Sequence, residues 1–360
     1  MTPAAPRPRA ALAAVPAYVA GRPPAQREGI ESYKLSSNEN PFPPVPEVLE
    51  AVHAAAQTMN RYPAMLSTEL YTALAGHLDV RTEEVAVATG SVALLYHLVQ
   101  AFCDPGDEVV YAWRSFEAYP IATAVCGATA VQVPLTDDGR HDLDAMAAVV
   151  GDRTKVVLVC TPNNPTGPAV RHAEVEAFLA RVPPHVVVVL DEAYGEFVRG
   201  EDRLDALALQ REHENVAVMR TFAKAYGLAG LRVGYLVGSD VVAGAVRACA
   251  LPFGVSAVAQ AAAAEALRHE GAVQERVAAL VAERERVHAG LVEQGWSSPE
   301  PQGNFVWLPL GPDTARFAEA SAAEGLAVRP YGEDGVRVTI GEVAANDRFL
   351  EVAAAFEPKA

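Results

Sequence analysis

Lysine is scarce in this chain: among 360 residues only Lys34, Lys155, Lys224 and Lys359 occur. Clustered basic side chains are also missing, and 29 Lys and Arg against 45 Asp and Glu leave a formal charge of −16. An acidic chain without a basic block is a poor match for nucleic acid or an anionic membrane, so small molecules are the expected partners. Cys103, Cys126, Cys160 and Cys249 lie far apart and form no CxxC pair, which argues against a zinc site or a disulfide framework and fits a reducing cytoplasm. No apolar run suits a membrane span, since the most apolar stretch, 243–267, is interrupted by Arg247 and Pro252. The Arg-, Pro- and Ala-rich start, residues 1–27, reads as a loose arm, because its prolines break the helix a targeting signal would need. Neither a repeat nor a Gly/Ser linker divides the chain.

What is present is a large apolar fraction, 51% of residues, enough to bury an extensive core. Short β-branched runs recur, each followed by a Gly or Pro break and an Ala/Leu-rich helical stretch. They predict strands over 84–89, 108–113, 130–135, 155–160, 185–190, 215–220 and 231–237, most of them too uniformly apolar to have a wet face. The expected fold class is α/β: a mostly parallel seven-stranded sheet flanked by helices, with a smaller α+β domain. A long helical stretch over about 257–294 is followed by strands over 304–310, 326–329 and 335–340. The expected division is an N-terminal arm that packs on the small domain (1–40), a large domain (41–260), and a connecting helix with the small domain (261–360).

The rarity of lysine allows an argument by elimination. Lys359 is the penultimate residue, Lys155 begins a strand and Lys34 lies in the N-terminal segment, whereas Lys224 follows the strand over 215–220 at the carboxyl edge of the sheet. Ligands of open α/β sheets bind along that edge. A lysine there can condense with an aldehyde cofactor, and pyridoxal 5'-phosphate is the best match. Asp191 ends the strand over 185–190, where it can pair with a pyridinium nitrogen or simply cap the next helix. Asn164, in the turn after the strand over 155–160, and Tyr194 are candidate donors to the cofactor phenolate oxygen. Gly90-Ser91-Val92 opens an apolar helix whose first amides would face an anion, and Arg232 offers a planar cationic fork for the same phosphate. Phe116 is a candidate ring to stack on the pyridine, with core packing as the alternative.

Three ordered strings carry a resemblance: Asn163-Asn164-Pro165-Thr166-Gly167, Asp191-Glu192-Ala193-Tyr194, and Arg220-Thr221-Phe222-Ala223-Lys224 continuing to Tyr235. With Leu35 to Pro41 and the stretch to Arg337, the sequence resembles the fold-type I pyridoxal phosphate aminotransferases over nearly its whole length. It is most similar to the histidinol-phosphate aminotransferase subfamily and to its actinobacterial aromatic (phenylalanine) members. The resemblance implies Lys224 as the Schiff-base lysine and Asp191 as the pyridinium partner. It further implies Ser91, Val92, Thr221 and Arg232 as phosphate holders, and Arg337 as the clamp on the substrate α-carboxylate. Tyr62 matches a tyrosine that reaches the phosphate from the neighbouring subunit, which implies a homodimer with shared sites. Ala223 stands where the family usually has Ser, and Ala64 where Asp is common. Side-chain specificity is expected from the loops around Asn38, Trp113 and Tyr331. A histidinol-phosphate specificity needs a cation for a second phosphate, for which Arg329 is the candidate. A decarboxylase or a secondary-metabolism paralogue on the same scaffold, and a cofactor-sensing regulator, are the other readings.

Overall fold

Two-sided burial explains the centre of the molecule. In the computed structural model, which describes residues 6–17, 21, 29–65 and 68–358, the central apolar runs become strands with almost no exposed side chain, whereas the run at the sheet edge, 129–134, leaves four of its six residues exposed. In chain order they are β1 (Tyr33–Lys34), β2 (Val85–Ala88), β3 (Glu108–Trp113), β4 (Thr129–Pro134), β5 (Thr154–Cys160), β6 (Val187–Asp191), β7 (Val216–Thr221) and β8 (Gly234–Val237). After these come β9 (Phe305–Leu308), β10 (Leu326–Ala327), β11 (Arg329–Tyr331) and β12 (Gly335–Thr339). Seven form one sheet in the order β2-β8-β7-β6-β5-β3-β4. Only β8 runs against its neighbours; the other pairings are parallel. Helices cover both faces, so each Val of β5 or β6 taken out of water contributes roughly 1.5–3 kcal/mol.

The expected α/β class and mainly parallel sheet are therefore present. Three elements differ from expectation in an informative way. Arg232 was expected to open a strand over 231–237, but β8 starts at Gly234 and Arg232 sits before it in a left-handed conformation, φ 56°. The helical stretch over 257–294 is two helices, Ala257–Arg268 and Glu270–Glu293, separated at His269. The expected strand over 326–329 is likewise divided: β10 pairs in parallel with β1, whereas β11 joins the antiparallel sheet β11-β12-β9. Through β1 the chain's beginning is thus hydrogen-bonded to its end.

The stretch 1–27 lies partly outside the described residues. Within it, Ala10–Ala14 forms one 3-10 turn against the helix Ala118–Cys126, so that portion is not a free arm. Lys359 is also outside the described residues. Among the described residues, no helix is long and apolar enough to cross a membrane.

Candidate active site

Parallel strands bring their carboxyl ends to one edge, and β5, β6 and β7 open there onto a cavity of about 200 Å³. Lys224 lies three residues beyond β7. Its amine is enclosed although the residue is only half-buried, because the remaining exposure is to the cavity. Nζ donates to the Ser37 carbonyl at 2.9 Å and stands 5.7 Å from the centre of the Tyr194 ring. Burial, aided by the positive field of Arg337, lowers the lysine from its ordinary 10.5 to about 7. A fraction of the amine is therefore neutral and nucleophilic near neutrality.

Asp191 ends β6 and is 3% exposed. The Tyr119 hydroxyl donates to its Oδ2 at 2.7 Å and the Ala193 amide to its Oδ1 at 3.3 Å. Burial raises the carboxyl to about 6 despite these donors, and among the described residues no cation acts on it. Beside it in register, Cys160 is held as an unreactive thiol, pushed up to about 12 mainly by burial.

Hydrogen bonds order the wall between these two residues. Arg337, on β12, donates from Nη1 to Asn164 Oδ1 at 2.5 Å and to Tyr331 Oη at 2.9 Å, and from Nη2 to the Ser36 carbonyl at 2.8 Å. Tyr194 Oη accepts from Asn38 Nδ2 at 2.9 Å, which leaves the hydroxyl proton for a second acceptor. The loop carrying Asn164 is fixed by Asn163. That side chain accepts from Ser115 Oγ at 2.7 Å and donates to Thr166 Oγ1 at 2.8 Å.

The far end of the cavity suits an anion. Ser91 begins the 12-residue helix Ser91–Phe102, whose first amides have no intrahelical acceptor. Gly90, with φ 91°, has no room for a side chain: a Cβ would lie 2.6 Å from Arg232 Nη2. A Cβ on Gly234 would lie 2.7 Å from the Ser91 amide nitrogen, so the bare backbone of β8 lets the helix start approach the sheet. Ser91, Val92, Thr221 and Arg232 line this end together. Thr221 Oγ1 accepts from the Ala223 amide at 3.1 Å, which ties the segment carrying Lys224 back to β7.

Phe116, Glu117, Arg329 and Tyr331 also line the cavity. Phe116 meets the Tyr119 ring edge-on, with centroids 5.7 Å apart. Two candidates from the sequence are not on the cavity wall. Asn38 is fully buried behind Tyr194, held also by Thr339 Oγ1, so its hydrogen bonds act through Tyr194. Tyr62 is 83% exposed and stacks on Phe253 at 4.9 Å. Conversely, the Ser36 and Ser37 carbonyls, Tyr119 and Glu117 had no role assigned from sequence. Backbone acceptors leave no residue-type signal, whereas Tyr119 and Glu117 stood in plain view beside Phe116.

Fold and site together define an α/β enzyme whose sheet edge brings a lysine and a buried acid without a cationic partner among the described residues to one cavity. The chain belongs to the aminotransferase class I and II family, whose model matches residues 31–352. It is 54% identical over 356 residues to an aromatic amino acid aminotransferase of Streptomyces avermitilis, covering 99% of both chains. Another enzyme of that name, from Thermobifida fusca, is 53% identical over 345 residues, with 96% of each chain covered. Among solved structures, histidinol-phosphate aminotransferase from Sinorhizobium meliloti in complex with pyridoxal-5'-phosphate aligns with TM-score 0.85 at 29% identity, covering 99% of this chain and 98% of that one.

Proposed function

We propose that the chain is a pyridoxal 5'-phosphate-dependent aminotransferase that moves an amino group between an aromatic, phenylalanine-like amino acid and a 2-oxo acid such as 2-oxoglutarate. One observation carries the reading: a lysine lowered to about 7 and an acid raised to about 6 share a cavity that ends in a helix start and an arginine. These residues fit the cofactor at each of its functional groups. Lys224 takes the aldehyde, Asp191 the ring nitrogen, Asn164 and Tyr194 the phenolate oxygen, and Ser91, Val92, Thr221 and Arg232 the phosphate, with Phe116 against the ring. When bound, the cofactor supplies an electrophilic carbon and a ring that accepts the electrons of the substrate Cα–H bond.

The protein's own groups do the rest. Arg337 holds the α-carboxylate through its planar fork. Lys224 Nζ would then move the proton from the substrate Cα to the cofactor C4′ as general base and acid, and in the opposite direction in the second half-reaction. Asp191 keeps the ring nitrogen protonated as charge develops there. Tyr62, exposed on this subunit, serves the phosphate of a second subunit, so the working form is a homodimer in the cytoplasm. The large unit spans 41–260, and residues 1–40 and 261–360 contribute the small one. The aromatic preference is supported by the names of the relatives at 53–54% identity.

Borohydride reduction of the cofactor-saturated protein, followed by peptide mass mapping, is expected to place a single adduct on Lys224, absent in Lys224→Ala. A donor screen with 2-oxoglutarate is expected to favour phenylalanine over histidinol phosphate. An adduct elsewhere overturns the site assignment, and the reverse donor preference overturns the substrate class.

A further inference from the structure

Among the described residues, six charged side chains line the cavity: Glu117, Asp191, Lys224, Arg232, Arg329 and Arg337. Four have partners in the reading above, on which this inference rests: the ring nitrogen, the aldehyde, the phosphate and the α-carboxylate. The remaining two, Glu117 and Arg329, have no partner in that reading other than each other. Arg329 Nη2 donates to Glu117 Oε2 at 2.5 Å, with side-chain exposures of 7% and 23%. The Arg329 guanidinium stands 5.1 Å from the centre of the Tyr331 ring, and Arg337 stands 5.6 Å from the same ring. Tyr331 thus touches both arginines, and its hydroxyl is already held by Arg337 at 2.9 Å.

We propose that Glu117 sets the charge preference of the site: by holding Arg329 it makes the side-chain end of the cavity electroneutral and disfavours substrates whose side chain is anionic. An arginine in that position would otherwise be a receptor for a distal carboxylate or phosphate, because its fork matches either group. With Glu117 in place, an incoming anion must displace a carboxylate from Arg329 or lie beside it. A neutral aromatic side chain meets the Phe116 and Tyr331 rings and a neutralised pair, and pays no such penalty. Discrimination therefore comes from a repulsive element as well as from the aromatic lining. The acceptor 2-oxoglutarate carries an anionic side chain, so its KM falls when the Glu117 charge is removed.

The test compares two dead-end ligands, 3-phenylpropionate and glutarate, titrated calorimetrically into the cofactor-loaded enzyme. Both offer Arg337 one carboxylate, and they differ in the charge of the distal group. Glu117→Gln is expected to shift the ratio of their dissociation constants at least about tenfold toward glutarate. Arg329→Gln, which leaves Glu117 without its partner, is expected to shift the ratio the opposite way. Glu117→Asp is expected to stay within about threefold of the parent. Packing damage alone would not give opposite signs for the two neutralised partners. Shifts of the same sign, or no shift beyond threefold in either variant, overturn the proposal. Should Glu117→Gln fail to load cofactor, the direction of the Arg329→Gln shift decides. Neither ligand has an amino group, so the result stands apart from the donor screen, and a failure there leaves this ratio readable.

Discussion

Asp191 and Glu192 are neighbours in sequence, both carboxylates and both buried, yet they face different cavities and live under opposite electrostatics. Glu192 Oε2 accepts from Arg220 Nη2 and Nε at 2.7 and 2.9 Å, a closed pair. Asp191 has hydroxyl and amide donors but no cation. The first arrangement satisfies a charge within the protein, and the second leaves it for a ligand. Perturbation alone does not mark function: Glu196, in the cavity of Glu192, is also raised to about 7 by burial. What distinguishes the Asp191 cavity is that it is shared by a base lowered to about 7, Lys224, whereas the base beside Glu192, Arg220, is pushed up and stays charged.

The contrast can be broken by removing either charge. Glu192→Gln leaves Arg220 without its counter-charge and is expected to cost about 3–5 kcal/mol of folding stability. Cofactor uptake should persist below the lowered melting point, as thermal denaturation with and without pyridoxal phosphate would reveal. Asp191→Asn should act in reverse on the cofactor-free protein. The folded carboxyl, at about 6, keeps its proton while the unfolded one, near 3.8, has lost it. Stability therefore falls as pH rises from about 4 to 6, and the penalty is complete above 6. Replacing the acid should then stabilise the apoprotein at pH 8 by on the order of 2–3 kcal/mol, while turnover falls by about a hundredfold or more. An apoprotein destabilised by this change at pH 8 would remove the contrast. The smallest effect sharpens it from the lysine side: the rate of cofactor capture by the apoprotein should rise with pH through about 7, not near 10.5. One unit below that midpoint, stopped-flow absorbance should record capture roughly tenfold slower than the plateau.

Much of this arrangement was legible in the chain, because apolar strands ending in chemistry-bearing residues are a linear pattern. Asp191, Lys224 and Asn164 each follow such a strand, and the sheet's parallel order brings their strand ends to one edge. Arg232 was misplaced by two residues because Leu231 and Val233 look like strand, whereas the left-handed turn that aims its guanidinium at Gly90 has no compositional mark on a non-glycine residue. Asn38 belongs to a loop expected from sequence to set side-chain specificity, but its side chain is buried against Tyr194 and Thr339, partners that only the tertiary fold brings to it. The Glu117–Arg329 pair joins residues 212 positions apart, which no local pattern can announce.

The Ser36 carbonyl that receives Arg337 precedes it by 301 positions. Such a site cannot be finished while the polypeptide is being made. At ribosomal speeds of about 5–20 residues per second, the N-terminal strand waits roughly 15–60 s for β10 and β12 to emerge. During that interval its edge and the half-built cavity are exposed to neighbouring nascent chains. The stretch from β10 to β12 must therefore be made before the cavity can close, and removing it should be far more damaging than its distance in sequence from Lys224 suggests.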